Sequence, residues 1–467
     1  MGGKKRVKTF CVCSVCLLFL ICLVAVSSAS LIWAQTDGRQ LQEPGLKRIK
    51  PGSVLTLDKC VDIALSTNPQ TAAARNTFLA SQSRIAEAQS SYYPQAQWQT
   101  DITHFSSTSV AQSRLLGTRG GTLGNTTLGL SGTTSQSNFS TGPAITQNIY
   151  DFGKTASQVS AARYNSEASR QSMENVDLQV ILSVKTSYYG VLQAQRSLKA
   201  EEVVVNQANQ HLKQAQGFFQ IGTAPKIDVT NAEVTLSNAQ LGLIQAKNAL
   251  QIAWQNLDNA MGIPDAPEYE IEDNLAYKPY LITFEKAIQN AYTYRPDLKS
   301  AVAAERSEEQ SVRLAKTGYY PALSGTAGYT WSGDSLPLDH GWNIGASVVV
   351  PIFSGFLTKN QVDESTANLN TAKANEEVLR QQIYLQNRQA FLNLQQAESS
   401  IATAQIGLRQ AQENLDLANG RYAAGVGSNI EVTDALTTFS TAQTTYINAL
   451  YSHKLAESNL ENAMGVK

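Results

Sequence analysis

The sequence predicts a mainly α-helical protomer with a smaller β portion, built from two repeats of long α-helices and paired β-strands. The first observation behind this prediction is an internal duplication: residues 56–94 return as residues 283–321, and residues 222–262 return as residues 425–465. Two copies of one long unit indicate a pseudo-symmetric assembly rather than a solenoid of many short repeats. The other two observations are the polar composition of the long helices and the alternating pattern of the segments between them.

The composition argues against ordinary globular domains. Apolar residues make up 42% and charged residues 16% of the 467 residues, and the net charge is −1. Long stretches are dominated by Ala, Gln, Asn, Ser and Thr, so we expect helices that pack closely through small side chains. The slightly negative charge makes the chain a poor candidate for binding nucleic acid.

The N-terminus predicts export. A basic cluster, an apolar run over residues 11–26 and small residues around 27–30 follow one another in the order of a secretory signal peptide, which we place within residues 1–34. The alternative is a transmembrane anchor, which needs about 20 apolar residues, and this run is shorter. Four of the five cysteines lie in this segment, so the exported chain keeps only Cys60 and no disulfide framework.

The duplication divides the chain into two repeats and a linker. We place the first repeat at residues 35–262 and the second at residues 283–467. The segment between them, residues 263–282, contains three prolines and is expected to lie on the surface. Within each repeat the expected order is a helix, two strands, a long helix, a turn and a return helix.

The helices are predicted from the length of the helical segments and from the residues that interrupt or end them. The first helix of each repeat is expected to break at Pro69 and at Pro296, because proline disfavours helix in the residue before it. At 1.5 Å per residue, the two longest helices would each extend roughly 100 Å. The predicted helices are residues 57–91, 153–219, 229–261, 284–318, 358–422 and 432–464.

Four segments between the helices predict β-strands. They are rich in Thr, Ser, Gly, Tyr and Val and alternate weakly, which at about ten residues per segment is typical of a membrane-spanning barrel. A soluble, half-buried hairpin gives the same period. The loops between the strands, residues 106–125 and 333–341, are expected to be exposed and to carry no chemistry. The predicted strands are residues 95–105, 127–149, 322–332 and 342–352.

The number of strands predicts an oligomer. Four strands cannot close a membrane barrel, which needs at least about eight. Two copies of the chain would give eight strands around an interior filled by side chains, whereas three copies would give twelve strands and leave a passage. A hollow tube therefore favours a homotrimer.

Several short motifs occur twice, in the same order, along the chain. They are the Tyr-Tyr-Pro helix ends, the strand-to-helix segments IYDFG and PIFSG, and the turns FFQIGTAPKIDVTNA and RYAAGVGSNIEVTDA. From about Leu55 to the C-terminus, the chain resembles the TolC-like outer membrane efflux proteins. The resemblance implies a trimer whose twelve strands form a barrel in the outer membrane of a Gram-negative bacterium, with an α-helical tube across the periplasm.

The resemblance also implies a function. Proteins of this kind are passive exit ducts of tripartite efflux or type I secretion systems. The implied partners are a periplasmic membrane-fusion adaptor, an inner-membrane transporter of the RND, ABC or MFS type, and outer-membrane lipid. The alternative is a periplasmic coiled-coil adaptor or structural protein, but an adaptor normally has a single helical hairpin and would not repeat the strand pair. The cargo does not follow from the sequence.

No catalytic or metal-binding pattern is visible in the sequence. The histidines lie far apart without the spacing of metal ligands, and neither a Gly-x-Ser-x-Gly motif nor a Cys–His arrangement appears. We therefore expect no enzyme activity and no cofactor.

The turns between the long helices and the return helices carry the candidate functional residues. Gly222 and Gly425 stand where a left-handed residue would end a helix, and Asp228 and Glu431 lie in the first turn of the next helix. Glu431 and Asp434 share a helix face, so threefold symmetry would turn each into a ring of acids that attracts cations and resists tight closure. The alternative is that Asp228 and Glu431 only complement the helix dipole.

The resemblance adds roles to residues of these turns. It implies that Glu431 and Asp434 ring the periplasmic entrance and that Asp228 and Tyr422 are gate residues. Some relatives carry an arginine after the turn glycine that holds the tip shut, whereas this chain has Gly427.

Lys226, in the other turn, is the candidate substitute for that arginine. The two turns are also expected to face the adaptor, through Gly222, Thr223, Ala224, Pro225, Gly425, Val426, Gly427 and Ser428. Near the strand ends, three tryptophans are predicted to lie in interfacial aromatic belts: Trp98, Trp331 and Trp342.

Overall fold

The computed structural model describes residues 52–111 and 130–466. The predicted signal peptide and most of the predicted first strand loop lie outside these residues. In the described part, the helices are α1 Leu57–Thr67, α2 Pro69–Gln89, α3 Lys154–Gln220, α4 Lys226–Met261, α5 Phe284–Tyr294, α6 Pro296–Lys316, α7 Leu357–Ala423 and α8 Asn429–Met464. The strands are β1 Val54–Leu55, β2 Gln95–Ala111, β3 Leu130–Tyr150, β4 Glu270–Ile271, β5 Ala322–Gly333 and β6 Asp339–Val349.

The two halves of the chain have the same order of elements, as the duplication predicts. Each has two helices separated at a proline, a short 3₁₀ turn, two strands, a helix of 67 residues and a helix of 36 residues. The break after α1 is made by Asn68, whose side-chain oxygen accepts a hydrogen bond from Gln70 N at 2.8 Å and caps α2. Pro69 follows as the first residue of α2, where it needs no helical hydrogen bond.

The longer strands form one antiparallel sheet in the order β2-β3-β5-β6. β2 and β6 are its two edges, and neither edge has a partner within the described chain. Two loop predictions are corrected here. Residues 106–111 continue β2, and Gly333 and residues 339–341 belong to β5 and β6, because pairing across the sheet extends the strands beyond their alternating segments.

The helices lie side by side in two tiers that share α3 and α7. In the tier next to the sheet, the neighbours are α2, α3, α6 and α7, in that order. In the distal tier they are α4, α3, α8 and α7, so α4 and α7 are the outer helices. Within the described residues, no helix combines the length and the apolarity that crossing a membrane as a helix requires.

Glycines join the two tiers. Gly262 ends α4 and Gly465 ends α8, both in the left-handed conformation, with φ of 72°. An added Cβ would lie 2.8 Å from the Asn68 Cα at Gly262 and 2.8 Å from the Arg295 Cα at Gly465. The side chains at these joints donate to the ends of the return helices: Asn68 Nδ2 to the Ala260 carbonyl at 2.9 Å, and Arg295 Nη1 to the Ala463 carbonyl at 3.3 Å.

The linker between the repeats is not simply a surface segment, so that expectation is wrong. Ile263, Ile271 and Leu275 are buried in the largest apolar cluster of the described chain. β4, within the linker, pairs in parallel with β1. The apolar side chains of the linker pack into this cluster, whereas the polar residues between them, such as Glu270 and Glu272, stay exposed. The linker therefore covers the core where the tiers meet.

Candidate functional site

The candidate site is the end of the helical bundle farthest from the sheet, which we call the tip: residues 221–225 and 424–428 with the adjoining helix ends. Gly222 and Gly425 are left-handed, with φ of 78° and 75°, as predicted. Thr223 N donates to the Phe218 carbonyl at 2.9 Å, and Val426 N donates to the Arg421 carbonyl at 3.0 Å. Both long helices therefore end in the same hydrogen-bonded turn.

Gly427 is held by close packing of the backbone. A Cβ at this position would lie 2.9 Å from the Arg421 Cβ and 2.9 Å from the Tyr422 nitrogen. The Gly427 nitrogen donates to the Arg421 carbonyl at 3.0 Å. The turn thus approaches the last residues of α7 so closely that no larger residue fits without a shift.

The return helices begin differently at the two turns. Lys226 is the first residue of α4 and not part of the turn, and its N-cap, Pro225, makes no side-chain capping bond. Ser428 caps α8 by accepting a hydrogen bond from Glu431 N at 3.3 Å. Asp228 and Glu431 lie in the first turns of their helices, as predicted.

An arginine that the sequence analysis missed contacts the acidic face of the tip. Arg421 Nε lies 3.3 Å from Glu431 Oε2, and Arg421 Nη2 donates to the Val426 carbonyl at 3.3 Å. Both partners of the ion pair are exposed, so it stabilises the tip by no more than about 1 kcal/mol. Asp434 is exposed beside it, one helical turn further along α8. The only signal in the sequence is a basic residue next to Tyr422.

Tyr422 lies in different surroundings from the exposed acids. Its side chain is buried and packs edge-on against His211 and Phe218, with ring centroids 5.2 and 5.3 Å away. Burial, with a smaller contribution from the charge of Asp228, raises the pKa of Tyr422 above its usual value. Its hydroxyl makes no hydrogen bond within the described chain.

A second unpredicted contact joins the two halves of the chain at the tip. His211 Nε2, on α3, is hydrogen-bonded to the Asn429 side-chain oxygen at the start of α8. Asn429 Nδ2 in turn donates to the Asp228 carbonyl at 2.9 Å. The structure thus brings together Tyr422, His211 and Asn429 in a buried cluster with half-buried Asp228 beside it, and Glu431 and Asp434 lie on the exposed face outside it.

Comparison with known families identifies this architecture. A family model described as "Outer membrane efflux protein" matches residues 60–263 and 287–466, one segment in each half of the chain. The chain belongs to the outer membrane efflux protein family. The match covers both halves, which favours the channel over the periplasmic adaptor that the sequence left as an alternative.

Curated relatives and solved structures agree with this assignment. The outer membrane protein TolC of Escherichia coli K12 is 24% identical over 341 residues, which cover 69% of this chain and 68% of TolC. The Campylobacter jejuni CmeC outer membrane channel is 19% identical, with a TM-score of 0.72, over 88% of this chain and 85% of CmeC. The open state of the Neisseria gonorrhoeae MtrE outer membrane channel is 18% identical, with a TM-score of 0.72, over 92% of this chain and 94% of MtrE.

These findings confirm the predicted fold class and the predicted location. This outer membrane efflux protein is a channel component of the outer membrane that extends into the periplasm. Its sheet is the β portion and its two tiers of helices are the periplasmic portion. The roles of the individual tip residues stay predictions.

Proposed function

We propose that three copies of the chain close into a passive exit duct whose tip is an acidic, cation-attracting constriction. The observation that carries the proposal is the exposed pair Glu431 and Asp434 on one face of α8, at the end of a long helical bundle. Threefold repetition would place three copies of each carboxylate around one opening. These negative charges would repel one another and attract cations. Arg421 would neutralise part of this charge through Glu431.

Unpartnered edges support the homotrimer. The sheet edges β2 and β6 are long and would pair with the edges of neighbouring copies. The outer helices α4 and α7 carry exposed apolar residues whose counterparts on the inner helices α8 and α3 are buried, as expected of faces that a neighbouring copy covers. On α4 this is Ile244, related by the duplication to Ile447 of α8, and on α7 it is Leu392, related to Tyr189 of α3.

Exposed apolar residues at the turns support docking of a periplasmic adaptor. Ile221 and Val426 are 71% and 68% exposed. The conformation of these turns does not require apolar side chains at the two positions, so a partner surface is the better explanation for them. The adaptor would connect the duct to an inner-membrane transporter of the RND, ABC or MFS type, which would select the cargo.

Some relatives are described as cation efflux proteins, such as CusC of Escherichia coli K12. In the described residues, no group of three or more His, Cys, Asp or Glu is placed to hold a metal ion.

Aromatic side chains at the sheet support contact with outer-membrane lipid. Trp98 stacks on Trp331 with ring centroids 5.9 Å apart, and Trp342 is 75% exposed. A second group of exposed aromatic residues lies where the sheet meets the helices: Tyr92, Tyr93, Tyr150, Tyr319, Tyr320, Phe353 and Phe356. Aromatic residues at two levels are typical of the girdles at both faces of a membrane.

The constriction is tested by removing its charge without changing its shape. We expect Glu431→Gln with Asp434→Asn to lower cation preference and block by multivalent cations by about fivefold in planar bilayers, because the rings lose their attraction. The matched control is Asp58→Asn with Asp62→Asn, two exposed acids of α1 far from the tip. Unchanged selectivity and block in the tip variant would remove these residues from the constriction.

A further inference from the structure

We propose that His211 and Asn429 form a pH-sensitive clasp that holds the two helical hairpins of one protomer together at the tip, and that acidification releases it. The inference rests on the proposed function, because it makes the tip the part of the duct that opens. His211 lies on α3 of the first hairpin, and Asn429 is the first residue of α8 in the second.

The hydrogen bonds of Asn429 determine the direction of the contact. Asn429 Nδ2 donates to the Asp228 carbonyl at 2.9 Å, so its Oδ1 is the atom that faces the imidazole. An amide oxygen only accepts, and His211 Nε2 must therefore carry the proton and donate it. One asparagine thus links three helices, α3 and α4 of the first hairpin and α8 of the second.

The other nitrogen of His211 explains the sensitivity to acid. His211 is 3% exposed, and its Nδ1 is buried without a hydrogen-bond partner in the described chain. With Nε2 protonated, Nδ1 is bare in the neutral ring. A second proton would place a buried N–H and a full charge where no acceptor satisfies them, which destabilises the packed tip.

Groups on the neighbouring helices oppose this effect only in part. Burial lowers the pKa of His211 below its usual value, whereas the Asn429 hydrogen bond and the negative charge of Asp228 on α4 act to raise it. Tyr422 on α7, whose ring packs against the imidazole, is neutral near physiological pH, because a tyrosine ordinarily has a pKa of about 10 and burial raises the pKa of this one further. The exposed Arg421–Glu431 pair lies on the α7–α8 side of the cluster.

The sign of the pH effect follows from the lowered pKa. The packed clasp favours neutral His211, so its full stability is present above the pKa of a released, solvated histidine, about 6.5. That stability falls as the pH drops below this value and is lost once the pH passes the lower pKa of the packed imidazole. Acid therefore favours separation of the hairpins.

The clasp occurs at one of two pseudo-equivalent junctions. The duplication relates His211 to Asn414 and Asn429 to Lys226. The junction between α4 and α7 of neighbouring copies would therefore pair Lys226 with Asn414. It would have no group that titrates near neutral pH, as His211 does. Acid would act on the junction inside each protomer and leave the junctions between protomers unchanged.

The test compares the trimer extracted from the outer membrane with His211→Gln, which keeps an N–H donor but does not titrate. Between about pH 7.5 and about pH 5, we expect the open fraction of the parent channel in planar bilayers to rise at least about twofold. His211→Gln should lose that rise. The control His340→Gln, which removes an exposed histidine of β6, should keep it. A His211→Gln channel with the full pH response of the parent would overturn the clasp.

A second measurement is independent of conductance. Hydrogen–deuterium exchange at the imidazole C2 position, followed by mass spectrometry of the full-length trimer across pH, reports the pKa of His211 directly. A pKa below about 6.5, the value of a solvated histidine, supports the clasp, and an equal or higher pKa overturns it. If the Glu431 and Asp434 variant leaves selectivity unchanged while His211 titrates low, the acidic constriction fails and the clasp stands.

Discussion

Cys60 at the centre of the protomer and the surface residues of its tip have opposite degrees of exposure. Cys60 is fully buried in the apolar cluster where the tiers meet, and burial raises the pKa of its thiol to about 12. Arg421, Glu431 and Val426 at the tip are exposed. The centre therefore holds chemically inert groups, whereas the tip offers charge and apolar surface to the periplasm.

We expect Cys60 to resist thiol reagents in the native trimer. The thiolate is the reactive form, and a buried thiol with a raised pKa supplies almost none of it at neutral pH. Maleimide labelling followed by mass spectrometry should modify Cys60 only after denaturation. The control is Val426→Cys, an exposed thiol in the same protein, which should react at least about a hundredfold faster. Comparable native rates at the two positions would contradict the prediction.

At the scale of elements, the joints between the stacked helices combine backbone conformation with contact. Gly262 and Gly222 are both left-handed, but an added Cβ meets the Asn68 backbone at Gly262 and nothing within 4 Å at Gly222. This pair separates backbone strain from steric clash.

We expect Gly262→Ala to destabilise the protein more than Gly222→Ala. Both variants strain a left-handed residue by about 1–2 kcal/mol, and the clash at position 262 adds about 1–3 kcal/mol. The apparent melting temperature of the detergent-purified trimer measures the difference. Equal melting temperatures would mean that the contact between the end of α4 and the Asn68 backbone can shift without a loss of stability.

At the scale of the whole molecule, the outer helices need a partner. We expect Ile244→Glu on α4 to weaken the trimer, because it places a charge in the apolar seam proposed between α4 and α7 of adjacent copies. The matched control is Val234→Glu, also exposed on α4, because the related residue Thr437 stays exposed although α8 packs between α3 and α7. Native electrophoresis or size-exclusion chromatography with light scattering measures the trimer fraction.

A loss of trimer of about tenfold in Ile244→Glu but not in Val234→Glu supports the seam. A trimer that persists in both variants would show that contact between neighbouring copies does not run along this face of α4.

Local sequence signals were sufficient to predict the architecture of each half. The duplication, the proline breaks, the glycine ends at Gly222 and Gly425 and the acidic first turn at Glu431 are local signals, because each depends on residues within a few positions of one another. Strand ends were less predictable, as in residues 106–111, because pairing with a neighbouring strand extended them beyond their own pattern.

Contacts between residues that are distant in the sequence could be identified only in the folded chain. The contact of His211 with Asn429, the burial of Tyr422 and the insertion of Leu275 into the core join segments that are far apart in the chain. A periodic pattern shows which face of a helix is apolar but not which helix covers it, since pairing depends on the packing of all the elements together. The two hairpins are alike in sequence but differ at His211 and its counterpart Asn414, and packing at the tip brings His211 into contact with Asn429 of the other hairpin.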